Sequence, residues 1–191
     1  MPKPSQSNQV YFEYLMRRSF LGDLYRRYVL YPRLNLHLKG KVLDVGCGIG
    51  DMLSYRQNTV GLDVNPLNVD FCQKRQLEAY VMKPDVIPFK DETFDSVLLD
   101  NVLEHIEKPS LLFKEIRRVL KPDGILLIGV PGIKGYESDH DHKVFYDEKK
   151  LQTLALKNRF NVNHFFYTPL IKSKFLSKQL RQYCIYTQWL K

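Results

Sequence analysis

The chain has 191 residues, 44% of them apolar and 26% charged, which excludes a disordered, fibrous or disulfide-scaffold protein. At this length about 70% of the extended surface can be buried, so one compact unit needs no covalent or metal staple. The net charge of +8 is uneven: residues 1–39 carry +5, residues 40–142 carry −5 and residues 143–191 carry +8. An acidic middle between basic ends points to one ligand bound in the middle and an anionic partner at the ends, or to basic ends that serve solubility alone.

Residues 1–9 are polar, contain two prolines and are expected to lack structure. No apolar run of signal-peptide length precedes Arg17 and Arg18. The longest apolar runs, such as 125–130, fall far short of the roughly 20 residues a membrane span needs. Three widely spaced cysteines (Cys47, Cys72, Cys184) form no CxxC pair, as suits a reducing compartment. A cytoplasmic protein without stable membrane insertion is expected, and its oligomeric state is open. From about 10 to 34, apolar and aromatic residues recur at helical spacing between Arg17, Arg18, Arg26 and Arg27, with a break expected near Gly22. Residues 1–39 are thus read as a helical extension or lid on a domain of residues 40–191, the tyrosine-rich stripe favouring a protein contact over acyl chains.

After Gly40, short β-rich runs at 41–45, 59–63, 78–82, 94–99 and 124–130 alternate with helical stretches. The clearest of these, 111–120, ends in a KPDG stop and turn. Near-continuous apolar strands separated by helices predict a parallel sheet covered on both faces. Residues 147–158 read as a further helix, and 160–168 and 183–189 as two late strands with the alternation of a more exposed edge.

The most informative stretch is VLDVGCGIG at 42–50. A buried strand runs into Asp44, and Gly46, Gly48 and Gly50 then open a helix where backbone must turn sharply and approach a ligand. In a doubly wound sheet this loop lies at the switch in strand order, beyond the carboxyl strand ends. Dinucleotides favour GxGxxG at such a turn. Here the spacing is GxGxG with Asp51 next, a poor neighbour for a pyrophosphate and a good one for a cationic ligand. S-adenosylmethionine, with its sulfonium and ammonium, fits that description.

Residues 41–130 resemble the class I S-adenosylmethionine-dependent methyltransferases. The resemblance rests on DVGCGIG at 44–50, Asp63 thirteen residues after Gly50, IPFKDETFDSVLL at 87–99, DNVLEHI at 100–106 and EIRRVLKPDGILLIGVP at 115–131, all in the family's order. It implies an α/β fold with a doubly wound, mostly parallel Rossmann-like sheet, a late antiparallel edge strand and the N-terminal helical extension. It also implies S-adenosylmethionine as cofactor and S-adenosylhomocysteine as product. Carried over, Asp44, Gly46, Cys47, Gly48 and Gly50 would hold the methionine end, Asp63 would take the ribose hydroxyls, and Asp100 would follow the fourth strand. The family commonly sets an acid some six residues before the Pro88-Phe89 pair to meet adenine. Met82 and Lys83 stand there instead, leaving Asp85 as the nearest carboxylate.

The loop after the fourth strand reads Asp100-Asn101-Val102-Leu103, unlike the Asn/Asp-Pro-Pro-aromatic loop of base amino-methylating relatives. A hydroxyl acceptor needs a base, and His142 is the first candidate, followed by His140 and His105. Glu104, His105 and His142 also resemble the metal-ligand set of small-RNA 2′-O-methyltransferases and ubiquinone-pathway O-methyltransferases. Those carry a further Glu where this chain has Asn101, so no metal is expected. The partner expected is a small-molecule hydroxyl acceptor; a nucleic-acid acceptor, or a non-catalytic module serving a partner, are the alternatives.

Overall fold

A computed structural model describes residues 5–191; the expectation for residues 1–4 lies outside that range. From residue 5 onward the polar start is helical. Ser5 caps α1 (Gln6–Met16) by accepting from the Asn8 amide, the capping geometry that satisfies an otherwise orphaned N–H. The break in the N-terminal arm falls at 17–19 and not at Gly22. Ser19 caps α2 (Phe20–Tyr25), accepting from Gly22 itself, which lies inside the helix. One wide turn, Arg26–Leu30, leads on into α3 (Tyr31–Asn35).

Seven strands follow: β1 (Val42–Val45), β2 (Thr59–Asp63), β3 (Ala79–Val81), β4 (Phe94–Asp100), β5 (Leu120–Pro131), β6 (Asn161–Thr168) and β7 (Cys184–Leu190). They form one sheet in the order β3-β2-β1-β4-β5-β7-β6, parallel from β3 to β5. β7 runs antiparallel between β5 and β6, so the late antiparallel pairing closes this edge of the sheet. The order reverses at β1 and β4, where a doubly wound sheet opens its ligand crevice. Helices α4 (Asp51–Tyr55), α5 (Pro66–Lys74) and α6 (Ser110–Val119) connect the parallel strands, and α7 (Ile133–Glu137), α8 (Glu148–Lys157) and α9 (Lys174–Gln179) the later ones.

Two local readings change. KPDG does not simply end the helix. β5 already begins at Leu120, paired with Phe94, and the next residues bulge, with Asp123 in left-handed conformation before pairing resumes at Ile125. Of the two late strands, only β6 is exposed at alternate residues. β7 is buried from end to end except Leu190. Both its faces are covered: Trp189 stacks on Phe113 of α6 at 5.5 Å on one side, and Tyr186 packs with Tyr31 and Leu34 of the arm on the other. Its polar members are buried but bonded, Thr187 by the Trp189 indole and Gln188 to the His37 carbonyl, as burial of polar groups demands.

The main core lies on the α6/α8 side of the sheet, with Phe94, Phe113, Ile116, Leu126, Phe160 and Trp189 among its members. On the opposite face Leu30, Tyr31, Leu34 and Leu38 of the arm pack with Val42, Leu98, Leu127 and Tyr186. The arm is therefore joined to the sheet by shared core. Leu34 is fully buried there, and Leu34→Ala is expected to lower stability by about 2–5 kcal/mol. Urea unfolding should show a single transition moved to lower denaturant; a separate early transition would mean that the arm unfolds by itself.

Candidate functional site

The crevice is built from the ends of β1, β2 and β4. After Val45 the chain bends through Gly46, Gly48 and Gly50, whose φ angles are 81°, 53° and 78°. At all three the left-handed backbone disfavours a Cβ, and at Gly46 and Gly50 the space is also taken. A Cβ on Gly46 would overlap Val102, and one on Gly50 would lie 2.7 Å from the Cys72 sulfur. The bend is tied to β2: Gly46 and Cys47 donate their amides to the Leu62 carbonyl, and Gly48 donates to Asp63 Oδ2 at 2.8 Å. Asp63 Oδ1 accepts from the Asn65 amide, also at 2.8 Å. Cys47 offers this crevice only its backbone, because its side chain packs inward with Leu53, Val69 and Cys72.

Three of the expected carboxylates converge. Asp44 and Asp63 are buried, and Asp100 takes the Tyr186 hydroxyl at 2.7 Å and the Asn101 amide at 2.9 Å, both on Oδ1. Burial, and next the neighbouring Asp100 and Asp63 charges, push the Asp44 carboxyl well above the usual range. Burial also raises Asp63 against the pull of its two backbone donors, and Asp100 against its Tyr186 and Asn101 partners. Such a cluster stabilises an incoming cation, since opposite charge relieves both repulsion and desolvation. Asp85 is placed differently. It lies in a turn closed by the Val86 amide and the Lys83 carbonyl, at φ 59°, and its side chain makes no hydrogen bond among the described residues.

α1 covers the crevice, which the sequence left open as a lid or a plain packing helix. Leu15 is buried against Gly48, the Asn8 carbonyl accepts from the Asn65 side chain at 2.8 Å, and Phe12 meets Phe71 edge-on at 5.8 Å. Tyr11 retains 40% exposure. Burial of its hydroxyl, and then the Asp63 charge, push this phenol up to about 12. Arg18 pairs with Asp51, and Arg26 lies 3.7 Å from the same carboxylate, so the acid that follows the glycine bend is neutralised by the arm. None of these residues carries a local motif; helical spacing alone put Tyr11 and Leu15 on adjoining faces.

Beside Val102, the turn Leu103–His105 brings Glu104 and His105 to His142, with one ligand-type atom from each within 4.8 Å of the others. His140 is exposed and stands outside this group. His142 lies 2.8 Å from the Tyr136 carbonyl through Nδ1 and stacks on the Tyr136 ring at 5.4 Å. A carbonyl only accepts, so Nδ1 carries the proton and Nε2 presents its lone pair, 3.7 Å from Glu104 Oε1. His105 is oriented in the same sense by the Asp141 carbonyl at 3.3 Å, and burial and then His142 lower its pKa. Both Glu104 carboxylate oxygens are buried without a hydrogen-bond partner among the described residues, and burial pushes this carboxyl up to about 8. Asn101, the substitute for a fourth donor, binds Asp100 and approaches the Cys184 sulfur instead. The remaining one-carboxylate, two-imidazole set can share a proton or take a divalent cation of the Zn²⁺ or Mn²⁺ kind.

Residues 43–128 match the family model described as a methyltransferase domain. An uncharacterized protein of Methanocaldococcus jannaschii is 32% identical over 120 residues, 63% of this chain and 56% of that protein. A fatty-acid O-methyltransferase of Mycolicibacterium smegmatis is 34% identical over 97 residues, covering 46% and 35% of the two chains. The chain spans about half the length of the first curated relatives it matches. In fold it is similar to a Thermotoga maritima S-adenosylmethionine-dependent methyltransferase described as a possible histamine N-methyltransferase. The TM-score is 0.77 at 19% identity, over 98% of this chain and 100% of that one.

The raised Glu104 carboxyl makes stability depend on pH. Its ordinary value is 4.5 and its folded value about 8, so between them unfolding releases a proton. The stabilising contribution is complete below about pH 4.5, declines as pH rises and is lost above about pH 8. Chelator-treated protein should lose roughly 2–4 kcal/mol across that window from this group. Urea titrations at stepped pH should show a shallower decline for Glu104→Gln; an unchanged slope would place the protonated carboxyl elsewhere.

Proposed function

We propose, from the premise that this chain belongs to the class I S-adenosylmethionine-dependent methyltransferases, that it transfers the donor's methyl group to a hydroxyl of a small molecule. The cofactor of this family is S-adenosylmethionine. In this reading Asp63 takes the two ribose hydroxyls, and Asp44 and the backbone of the glycine bend receive the methionine end. Asp100 adds negative charge near the donor's two cationic centres. Gly48's bond to Asp63 need not break, because each carboxylate oxygen has room for a second donor.

The observation that carries the oxygen-directed half of the proposal is the imidazole of His142, whose Nδ1 is held by the Tyr136 carbonyl so that Nε2, 3.7 Å from Glu104, is its basic nitrogen. Transfer forms a carbon–oxygen bond from an acceptor lone pair as the carbon–sulfur bond breaks. The released electron pair neutralises the sulfonium to the thioether of S-adenosylhomocysteine, and the hydroxyl proton passes to His142 Nε2. Positioning the acceptor in line and excluding water supply much of the acceleration, and α1 supplies the cover. A relative named as a fatty-acid O-methyltransferase is in keeping with an oxygen acceptor.

Calorimetric titration with S-adenosylhomocysteine tests the cofactor half. Two charge-assisted hydrogen bonds of about 1.5–3 kcal/mol each make Asp63→Ala at least 100-fold weaker. No binding by the unaltered chain at millimolar ligand would overturn the proposal. With labelled donor and a panel of phenolic, sugar and fatty hydroxyl acceptors, His142→Ala should lower kcat about 100-fold or more with cofactor affinity preserved. Equal turnover in the variant would remove His142 as the base.

A further inference from the structure

Twelve of the seventeen exposed large apolar side chains among the described residues fall in two short stretches, 10–36 and 170–175. These are the two ends of the chain, and contacts join them into one surface. Arg181, just past α9, donates to the Tyr14 hydroxyl of α1 at 2.6 Å. Arg33 of α3 donates to the carbonyls of Pro169 and Leu170, both at 3.3 Å, and Tyr25 lies beside Thr168. Helical spacing puts exposed Leu21 one turn before Tyr25 in α2, and exposed Val10 one turn before Tyr14 in α1. Both are therefore on the side of the arm that meets the 168–181 segment, whose own Leu170, Ile171 and Phe175 are 61%, 69% and 71% exposed.

Phe20 and Leu21 are 74% and 76% exposed at the start of α2. That is an unusual position for adjacent large apolar residues in a protein that keeps its surface in water. Cations are interleaved with them: Arg17 and Arg27 on the arm, Lys172, Lys174 and Lys178 on the other segment. Among the described residues Arg27, Lys174 and Lys178 form no ion pair, and the acids nearby are already engaged, Glu13 by Arg17, Asp23 by Arg26 and Glu148 by Lys172. Apolar and aromatic side chains that stand out between free Lys and Arg are the chemistry of an interfacial, anionic-lipid-binding surface. A protein groove of neutral character would leave the cations unmatched, and a second copy of the same basic face would repel. Among the described residues no helix is long and apolar enough to cross a membrane.

We propose that this face, built from α1 to α3 and the 168–181 segment, docks the protein on the surface of an anionic bilayer, with Phe20, Leu21, Ile171 and Phe175 entering the headgroup region. Docking of this kind puts α1, the cover of the crevice, next to the lipid. If the methyl-transfer reading above holds, it favours an amphipathic acceptor presented from the membrane.

The test is sedimentation of the 191-residue chain with vesicles, without methyl donor, so its outcome is independent of the transfer reaction. Vesicles of phosphatidylcholine with phosphatidylglycerol should carry the protein down and pure phosphatidylcholine should not, with binding weakened by salt. The charge-neutral pairs Phe20→Ser/Leu21→Ser and Ile171→Ser/Phe175→Ser should each lower partitioning about tenfold or more at unchanged thermal unfolding midpoint. Failure to sediment with anionic vesicles at low salt would overturn the proposal. So would equal binding by the serine variants, the mark of mere charge adsorption. Concentration-dependent dimerisation abolished by the same variants, without vesicle binding, would assign the face to a second copy and also overturn it.

Discussion

The hydrogen bond from the Gly48 amide to Asp63, beside those of Gly46 and Cys47 to the Leu62 carbonyl, holds the crevice in shape. It ties the bend after β1 to the end of β2 and leaves Asp63 a carboxylate with two backbone donors and little water. The same stretch of sheet edge carries Asp44 and Asp100, each pushed towards its protonated form chiefly by burial. Negative charge packed this closely is unfavourable in the fold alone. It becomes favourable when a cation enters, and that asymmetry turns a glycine bend into a discriminating site. In the proposed reading a pyrophosphate would meet repulsion where the sulfonium and ammonium of the donor would meet attraction.

The arm completes this electrostatic arrangement from outside. Arg18 and Arg26 occupy Asp51, so the carboxylate that most nearly faces solvent is neutralised while the deeper ones keep their charge demand. Attachment is unequal along the arm. α3 contributes Tyr31 and Leu34 to the core, whereas α1 buries only Leu15 and otherwise relies on the Asn65 bond to its Asn8 carbonyl, the Arg181 bond to its Tyr14 hydroxyl and the Phe12–Phe71 edge contact. Segments with few buried apolar contacts open at lower free energy than the core; α1 and α2, on either side of the break at 17–19, are such segments, and α3 is not.

Residues 41–130 were legible because local pattern and global fold agree there: fully apolar parallel strands, a 3.6-period helix and glycines with a steric reason. The arm's break was not, because Ser19 competes with Gly22 as a stop signal and only the cap bond decides. β7 read as half-exposed because Thr187 and Gln188 are polar, yet their bonds to Trp189 and His37 make burial tolerable. For the histidines, sequence named the two loops that bring His105 and His142 together. It could not separate His142 from His140, because stacking on Tyr136 and a bond to its carbonyl select one and leave the other in solvent. Nor could it show that Glu104 is buried without a hydrogen-bond partner among the described residues, a property of the surrounding loops and not of its own neighbours.

The two basic ends, unrelated by sequence, are brought together because β7 inserts beside β5. That insertion places Tyr186 over the sheet face that α3 covers, bonded to Asp100 across 86 residues of chain. It also stacks Tyr186 on Phe166, which in turn carries His37 at 4.1 Å and Arg33 at 5.6 Å. Aromatic contacts of this geometry add about 0.5–1.5 kcal/mol each beyond area burial. A continuous packed path therefore links the arm, the last strand and the acid at the end of β4. The charge division seen along the chain is thus a spatial one: the acids gather where the strands end, and both basic segments meet on the adjoining face.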